Sequence, residues 1–293
     1  MNPKISVKIG RVVLKNPVIV SSGTFGYGEE FAAFCDLKQL GAIVTKTITI
    51  NPRWGNPVPR TCETPAGMIN SIGLENPGID KFLSEKLPMV CKFGVPIIVS
   101  IASEADPDEF VILAKRLDKI RAVAALELNI SCPNLKKKNL ISQDAQATAA
   151  VIKAVRRVSA KTLIAKLSPN VTDITEIAVA AQDAGSDALA LINTVHGMAI
   201  DVATRKPKIA MIRGGLSGPA IRPIALGMVW EVYKKVKIPI IGMGGIMDTQ
   251  SALEFFIAGA SAIGVGTANF ILPAISVDII KGIKKYLLQN KIK

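Results

Sequence analysis

The sequence predicts an α/β protein built as a (β/α)8 barrel, and three observations carry that expectation. Eight short apolar runs recur along the 293 residues, each bounded by turn residues. Amphipathic segments of helical period follow most of them, with glycine and proline marking the junctions, as at Gly185, Pro239 and Gly259. No shift in composition divides the chain, so residues 1–293 read as one domain of the size at which such barrels occur.

In chain order the runs are 17–20, 42–45, 96–99, 124–128, 163–167, 188–192, 239–242 and 262–265. They are nearly continuous in Val, Ile, Leu and Ala rather than alternating with polar residues. Parallel strands covered on both faces have that pattern. The intervening helices are expected at 79–86, 107–117, 143–158, 173–184, 221–236, 249–258 and 276–288. Two connections are long, 47–78 and 194–218. A doubly wound dinucleotide fold is the rival, and its Gly-x-Gly-x-x-Gly fingerprint should open the first helix. The glycine runs here fail that test. Gly242 and Gly244 are followed by Met247 at the third position, Gly264 and Gly266 by Asn269, and both runs lie in the last two units.

Apolar residues make up 49% of the chain and charged residues 20%, as in soluble globular proteins. No stretch has the length of a membrane span, and the N-terminus lacks an apolar leader, so the cytoplasm is expected. Cys35, Cys62, Cys91 and Cys132 are far apart with no CxxC pair. That spacing argues against a disulfide framework and against a zinc or iron–sulfur site in this chain. The formal charge is +13, with lysines grouped at 136–138 and along the C-terminal segment. Nucleic-acid binding is one reading of that charge. A solvated basic surface and a field that attracts small anions are others. No aromatic residues interleave the basic runs, so no base-stacking platform is visible.

In a (β/α)8 barrel, chemistry gathers at the C-terminal ends of the strands. Here those ends carry Ser21 and Ser22, Lys46 and Thr47, Ser100, Asn129 and Cys132, Lys166 and Ser168, Asn193 and Thr194, Gly244 and Gly245, and Gly266 and Thr267. Packing alone does not place a polar group at every strand end. Glycines after the seventh and eighth strands let backbone N–H groups approach phosphate oxygens, and a flavin mononucleotide would fit with its phosphate there and its ring across the mouth. Cys132 stands in a polar loop with Ser131 and Asn134, stiffened by Pro133, which suits an acid/base or nucleophilic thiol; a free thiol packed under a loop is the alternative. Lys46 and Lys166 each follow a buried run directly. Each could form a Schiff base, hold an anion or stabilise a reduced flavin. His196, the only histidine, lies inside a long loop and reads as incidental.

Taken together these residues resemble the class 1 dihydroorotate dehydrogenases over essentially the whole chain. The most specific segments are Asn129 to Asn134 (Asn-Ile-Ser-Cys-Pro-Asn), Lys166 to Asn170 (Lys-Leu-Ser-Pro-Asn), Gly214 to Gly218 and Gly67 to Gly78. Within class 1 the B type is most similar, through residues 22–26, 63–67, 215–219 and 240–246. The first strand near residue 17 leaves no room for the N-terminal helical segment expected of the quinone-using class 2 enzymes.

The resemblance implies oxidation of (S)-dihydroorotate to orotate in pyrimidine biosynthesis. Cys132 would remove the C5 proton, and the C6 hydride would pass to FMN. Asn70, Asn129, Asn134, Asn193 and Thr194 would bind the pyrimidine amides. Lys46 and the backbone of the segment from Ser71 through Ile72 and Gly73 to Leu74 would hold the carboxylate. Ser22, Lys46, Thr47, Ser100, Asn129, Lys166, Ile192, Gly218, Gly244, Gly245, Gly266 and Thr267 would line the FMN. A homodimer would dock two copies of a separate subunit carrying FAD and a 2Fe–2S cluster, a heterotetramer that delivers electrons to NAD. No metal, nucleic acid or membrane is implied for this chain. The chain departs from the family pattern at Ser100, where Asn is usual, in the lysine-rich segment 135–139, at Ile212 and Arg213, and at His196. Three alternatives stay open: a dihydropyrimidine dehydrogenase catalytic subunit, whose substrates lack the carboxylate; a fumarate-using A-type enzyme; and a phosphate-binding aldolase or isomerase using Lys166.

Overall fold

The computed structural model describes residues 3–104, 106–131 and 141–292. Eight parallel strands close into a barrel: Val18–Val20, Ala42–Val44, Ile97–Ile101, Val123–Asn129, Thr162–Lys166, Ala188–Leu191, Ile240–Met243 and Ala262–Val265. Each pairs with its neighbours in sequence, and the eighth closes on the first through Ile263 opposite Val18. These are the eight runs that the sequence predicts.

The apolar continuity of the strands follows from burial on two sides. One set of side chains, including Ile19, Val44, Ile98, Ile164 and Ile241 with Ala42, Ala125, Ala188, Ala190 and Ala262, forms a core inside the barrel. The other set, such as Val18, Val20, Val99, Leu126 and Leu163, packs outward on the helices. The alanines keep a narrow interior from being overfilled. A hairpin of Val7–Ile9 and Val12–Leu14 lies before the barrel, and its Ile9 and Leu14 join the inner core. The Arg11 amide bonds to Thr162 Oγ1 at the start of the fifth strand, so the hairpin plugs the end opposite the strand C-termini. Its strands are too short to stand out as periodic runs.

The outer helices fall close to their expected places: Asp108–Asp118, Ala145–Arg156, Ile174–Asp183, Arg222–Tyr233, Thr249–Ile257 and Ile275–Gln289. Asp144, Asp173 and Asp248 cap three of them by accepting hydrogen bonds from backbone N–H groups. The helix expected at 79–86 runs further, from Gly78–Lys81 through a wide π turn at Phe82–Lys86 to Leu87–Cys91. Pro88 lies in the first turn of that last piece, where its missing N–H costs little.

The two long connections find each other. Thr61–Thr64, Gly67–Asn70, Gly214–Ser217 and Val195–Gly197 form one antiparallel sheet over the C-terminal mouth of the barrel. Gly215 lies opposite Asn70 and Ser217 opposite Met68, so segments about 145 residues apart share a single roof.

Candidate active site

Between the barrel mouth and this roof lies a cavity of about 660 Å³. That volume is in the range of small-molecule and cofactor sites. Every strand end and both roof connections contribute to the region. Ser22, Lys46, Thr47, Asn129, Lys166, Ile192, Gly218, Gly244, Gly245, Gly266 and Thr267 line the cavity. So do Asn70, Ser71, Ile72, Gly73, Leu74, Asn193 and Thr194. Cys132 and Asn134 lie outside the described residues, as does the lysine-rich segment 135–139. Ser131, immediately before Cys132, is on the cavity wall.

Among the described residues expected at the site, Ser100 is the one that does not reach the cavity wall. It is fully buried and is absent from the described cavity wall. Its hydroxyl donates to Glu127 Oε1 at 2.9 Å and lies 2.9 Å from Thr47 Oγ1. A side chain as short as serine stops one layer beneath the floor.

At one end of the cavity lie the glycine loops that follow the seventh and eighth strands. Gly244 and Gly245 have φ of 125° and 76°, in the region closed to most L residues. A Cβ on Gly245 would stand 2.8 Å from the Gly218 carbonyl oxygen and 3.0 Å from the Arg222 nitrogen. The loop after the seventh strand therefore packs directly on the start of the helix Arg222–Tyr233. Beside Gly266, Thr24 Oγ1 is buried and has no hydrogen-bond partner among the described residues. A phosphate oxygen or a sugar hydroxyl would satisfy it. Sequence reasoning missed Thr24, although it stands in the middle of the Ser22 to Gly26 segment. It missed the wall residue Ser217 too.

At the other end, the segment from Ser71 to Leu74 is held from behind. Asn56 Nδ2 donates to Ser71 Oγ at 2.8 Å, the Asn56 amide to the Ile72 carbonyl at 3.0 Å, and Arg53 Nε to the Gly73 carbonyl at 3.3 Å. Among the described residues, the N–H groups of Ile72, Gly73 and Leu74 have no acceptor. Leu74 adopts a φ of 56°, unusual for a residue with a side chain. Lys46, half-buried on the same cavity, has no carboxylate partner among the described residues. Three unmatched donors and one cation on a single cavity suit a carboxylate.

The amides between these ends are fixed by neighbours. Asn193 Nδ2 donates to Ser131 Oγ at 2.9 Å, and its Oδ1 accepts from the Thr194 amide at 2.8 Å. Asn170 donates to the Thr194 carbonyl at 3.0 Å and accepts from the His196 amide at 2.9 Å, which ties the roof to the fifth strand. His196 itself is exposed on the roof strand opposite Gly215, and Ile212 and Arg213 are exposed on the same connection. Lys166 is buried, donates to Ser22 Oγ at 3.4 Å and lies 3.9 Å from Glu127 Oε1. No cluster of potential metal ligands occurs among the described residues, and no described helix is long and apolar enough to cross a membrane.

A family model described as dihydroorotate dehydrogenase matches residues 4–287. The chain is 52% identical over 293 residues to a protein of Trichlorobacter lovleyi, covering all of this chain and 96% of that one. It is 53% identical over 293 residues to one of Desulforamulus reducens, with the same coverage. With one of Desulforudis audaxviator it shares 51% identity over 294 residues, covering all of this chain and 95% of the other. All three relatives are named dihydroorotate dehydrogenase B (NAD(+)), catalytic subunit.

Proposed function

The chain belongs to the dihydroorotate dehydrogenase family, and on that footing we propose that it oxidises (S)-dihydroorotate to orotate in pyrimidine biosynthesis, as the FMN-bearing subunit of an NAD-linked enzyme. The observation that carries this reading is the single cavity with two unlike anion-binding ends. The glycine loops suit a nucleotide phosphate, and Lys46 with the Ile72 to Leu74 amides suits a small carboxylate. FMN fits the residues present: Thr24, Gly218, Gly244, Gly245, Gly266 and Thr267 would hold its phosphate arm, with Ser22, Thr47, Ser100, Asn129, Lys166 and Ile192 around its ring or just below it.

When bound, FMN supplies the two-electron acceptor. The protein's own groups do the rest. Lys46 and the Ile72 to Leu74 amides fix the substrate carboxylate and so orient the ring. Asn70, Asn129, Asn134, Asn193 and Thr194 pair with its amide edges. Cys132 takes the C5 proton, which is already acidified by the adjacent carbonyl. The carboxylate end argues for dihydroorotate over dihydropyrimidines that carry no acid group. The relatives are catalytic subunits by name, and the chain has no second nucleotide fingerprint. Electrons therefore leave through a partner subunit carrying FAD and a 2Fe–2S cluster, in a heterotetramer built on a homodimer of this single-domain chain and working in the cytoplasm.

The visible spectrum of the purified chain tests the reading. It should show bound flavin that extracts as FMN, and anaerobic dihydroorotate should bleach it with formation of orotate. A chain that stays colourless after purification with added FMN would reject the assignment. Bleaching by dihydrouracil in place of dihydroorotate would move it to the dihydropyrimidine class.

A further inference from the structure

Beneath the cavity floor runs a continuous polar chain across five strand ends. Thr47, Ser100, Glu127, Lys166 and Ser22 are 7%, 0%, 1%, 6% and 3% exposed. Thr47, Lys166 and Ser22 reach the cavity, whereas Ser100 and Glu127 are absent from its described wall. A carboxylate buried this deeply is retained only with partners. Glu127 Oε1 has two, the Ser100 hydroxyl at 2.9 Å and the Lys166 ammonium at 3.9 Å.

The direction of the hydrogen bonds follows from counting protons. A carboxylate only accepts, so the one proton of Ser100 goes to Glu127. The 2.9 Å contact between Ser100 and Thr47 must then be a donation by Thr47. Thr47 has no proton left and can only accept from the cavity. At the other end Lys166 donates to Ser22 at 3.4 Å, which leaves the Ser22 proton free to be donated into the cavity. The buried carboxylate thus fixes an acceptor on this floor at Thr47, the lysine beside it leaves a donor at Ser22, and the carboxylate offsets the charge of that lysine.

We infer that Glu127 is a positioning residue that sets both the hydrogen-bond polarity of this floor and, through Lys166, the electrostatic potential felt by the flavin ring. The part concerning flavin rests on the function proposed above. Removing the negative charge leaves Lys166 uncompensated, which favours the electron-rich reduced flavin.

The test uses Glu127→Gln, Lys166→Met, their double variant and Ser100→Ala. In Glu127→Gln the equilibrium constant for flavin reduction should rise about tenfold, which is about 30 mV in midpoint potential for a two-electron couple. The same change made on Lys166→Met should leave the potential where it was, because a carboxyl buried without its cation is held neutral and its replacement by an amide removes no charge. Ser100→Ala should weaken FMN binding severalfold without moving the potential, a separation that a purely structural role would not produce. An unchanged potential in Glu127→Gln, or an equal shift with and without Lys166, overturns the inference. Melting of the four apoproteins of the Glu127/Lys166 cycle gives a flavin-free reading. Lys166→Met should relieve most of the destabilisation caused by Glu127→Gln, and additive losses would reject the coupling. A chain that binds no flavin at all would count against the proposed function, and the melting cycle would still decide the pairing.

Discussion

Thr267 donates a hydrogen bond to Ser217 at 2.8 Å, which joins the loop after the eighth barrel strand to the last strand of the roof. The two hydroxyls connect the glycine-rich end of the cavity to the sheet that covers it. A neutral hydrogen bond of this kind is worth about 0.5–1.5 kcal/mol. Ser217→Ala should therefore loosen the roof over this end, raise the FMN dissociation constant by about two- to tenfold and lower the melting temperature of the apoprotein by only a few degrees. Fluorescence titration of apoprotein with FMN reads this directly, and an unaltered constant would detach Ser217 from the cofactor end.

Cys132→Ala should retain its flavin and lose flavin reduction by dihydroorotate, by about 10²–10⁴-fold, the usual contribution of a positioned base. Anaerobic stopped-flow at the flavin band is the measurement. Cys132→Ser should keep slight activity that grows with pH, since a hydroxyl gives up its proton far less readily than a thiol and little of its basic form exists near neutrality. Reduction at near wild-type rate in the alanine variant would remove the thiol from the mechanism.

Electron exit gives a prediction on assembly. The chain alone should turn over dihydroorotate with artificial dyes or oxygen and reduce NAD poorly. Adding a subunit with FAD and a 2Fe–2S cluster should restore NAD reduction, with a mass by light scattering that fits two copies of each chain. Rapid NAD reduction by the isolated chain, or efficient use of fumarate, would contradict the B-type assignment and spare the flavin chemistry.

Asp248 caps the helix Thr249–Ile257, accepting from the Ser251 amide at 2.7 Å while Ser251 Oγ accepts from the Asp248 amide. The hydrogen bonds from Ser251, backbone first and side chain second, hold its carboxyl below the ordinary value. A carboxyl whose folded pKa is depressed stabilises the fold above its unfolded pKa of about 3.9 and loses that contribution as pH falls through the folded value. Asp248→Ala should cost about 1 kcal/mol near neutrality, and the gap to wild type should narrow below about pH 4. Urea midpoints across pH 3–7 check it; a gap that does not depend on pH would mean that the ionised carboxylate contributes nothing.

The barrel was legible because its signal is local. Eight apolar runs need only their own residues to declare a strand buried on both faces, and Val18–Val20 and Ala262–Val265 declare themselves as fully as the longer ones. The cavity was legible for a related reason, because strand ends in this fold converge, so Lys46, Lys166 and Gly244 meet without any pairing having to be guessed. What stayed hidden depends on partners far away in sequence. Residues 67–70 and 214–217 look like loop until they pair, and the hairpin Val7–Ile9 with Val12–Leu14 gains its meaning from the barrel end it plugs. Glu127 stands within the apolar run 124–128, and its partners Ser100 and Lys166 are both far from it in the chain. The position of Ser100 depends on side-chain length, which a pattern of residue types does not measure.

The pairing of Gly215 with Asn70 also bears on how the molecule comes to exist. The cavity wall draws on residues from Ser21 to Ala268, and its cover takes two strands from each half of the chain. A nascent chain that has left the ribosome only as far as the sixth barrel strand holds Lys46 and Lys166 but neither the cover nor the glycine loops. On the function proposed above, capture of FMN would wait for nearly complete synthesis. On the same reading, bound FMN would mark a chain made through its eighth barrel strand and closed by its roof.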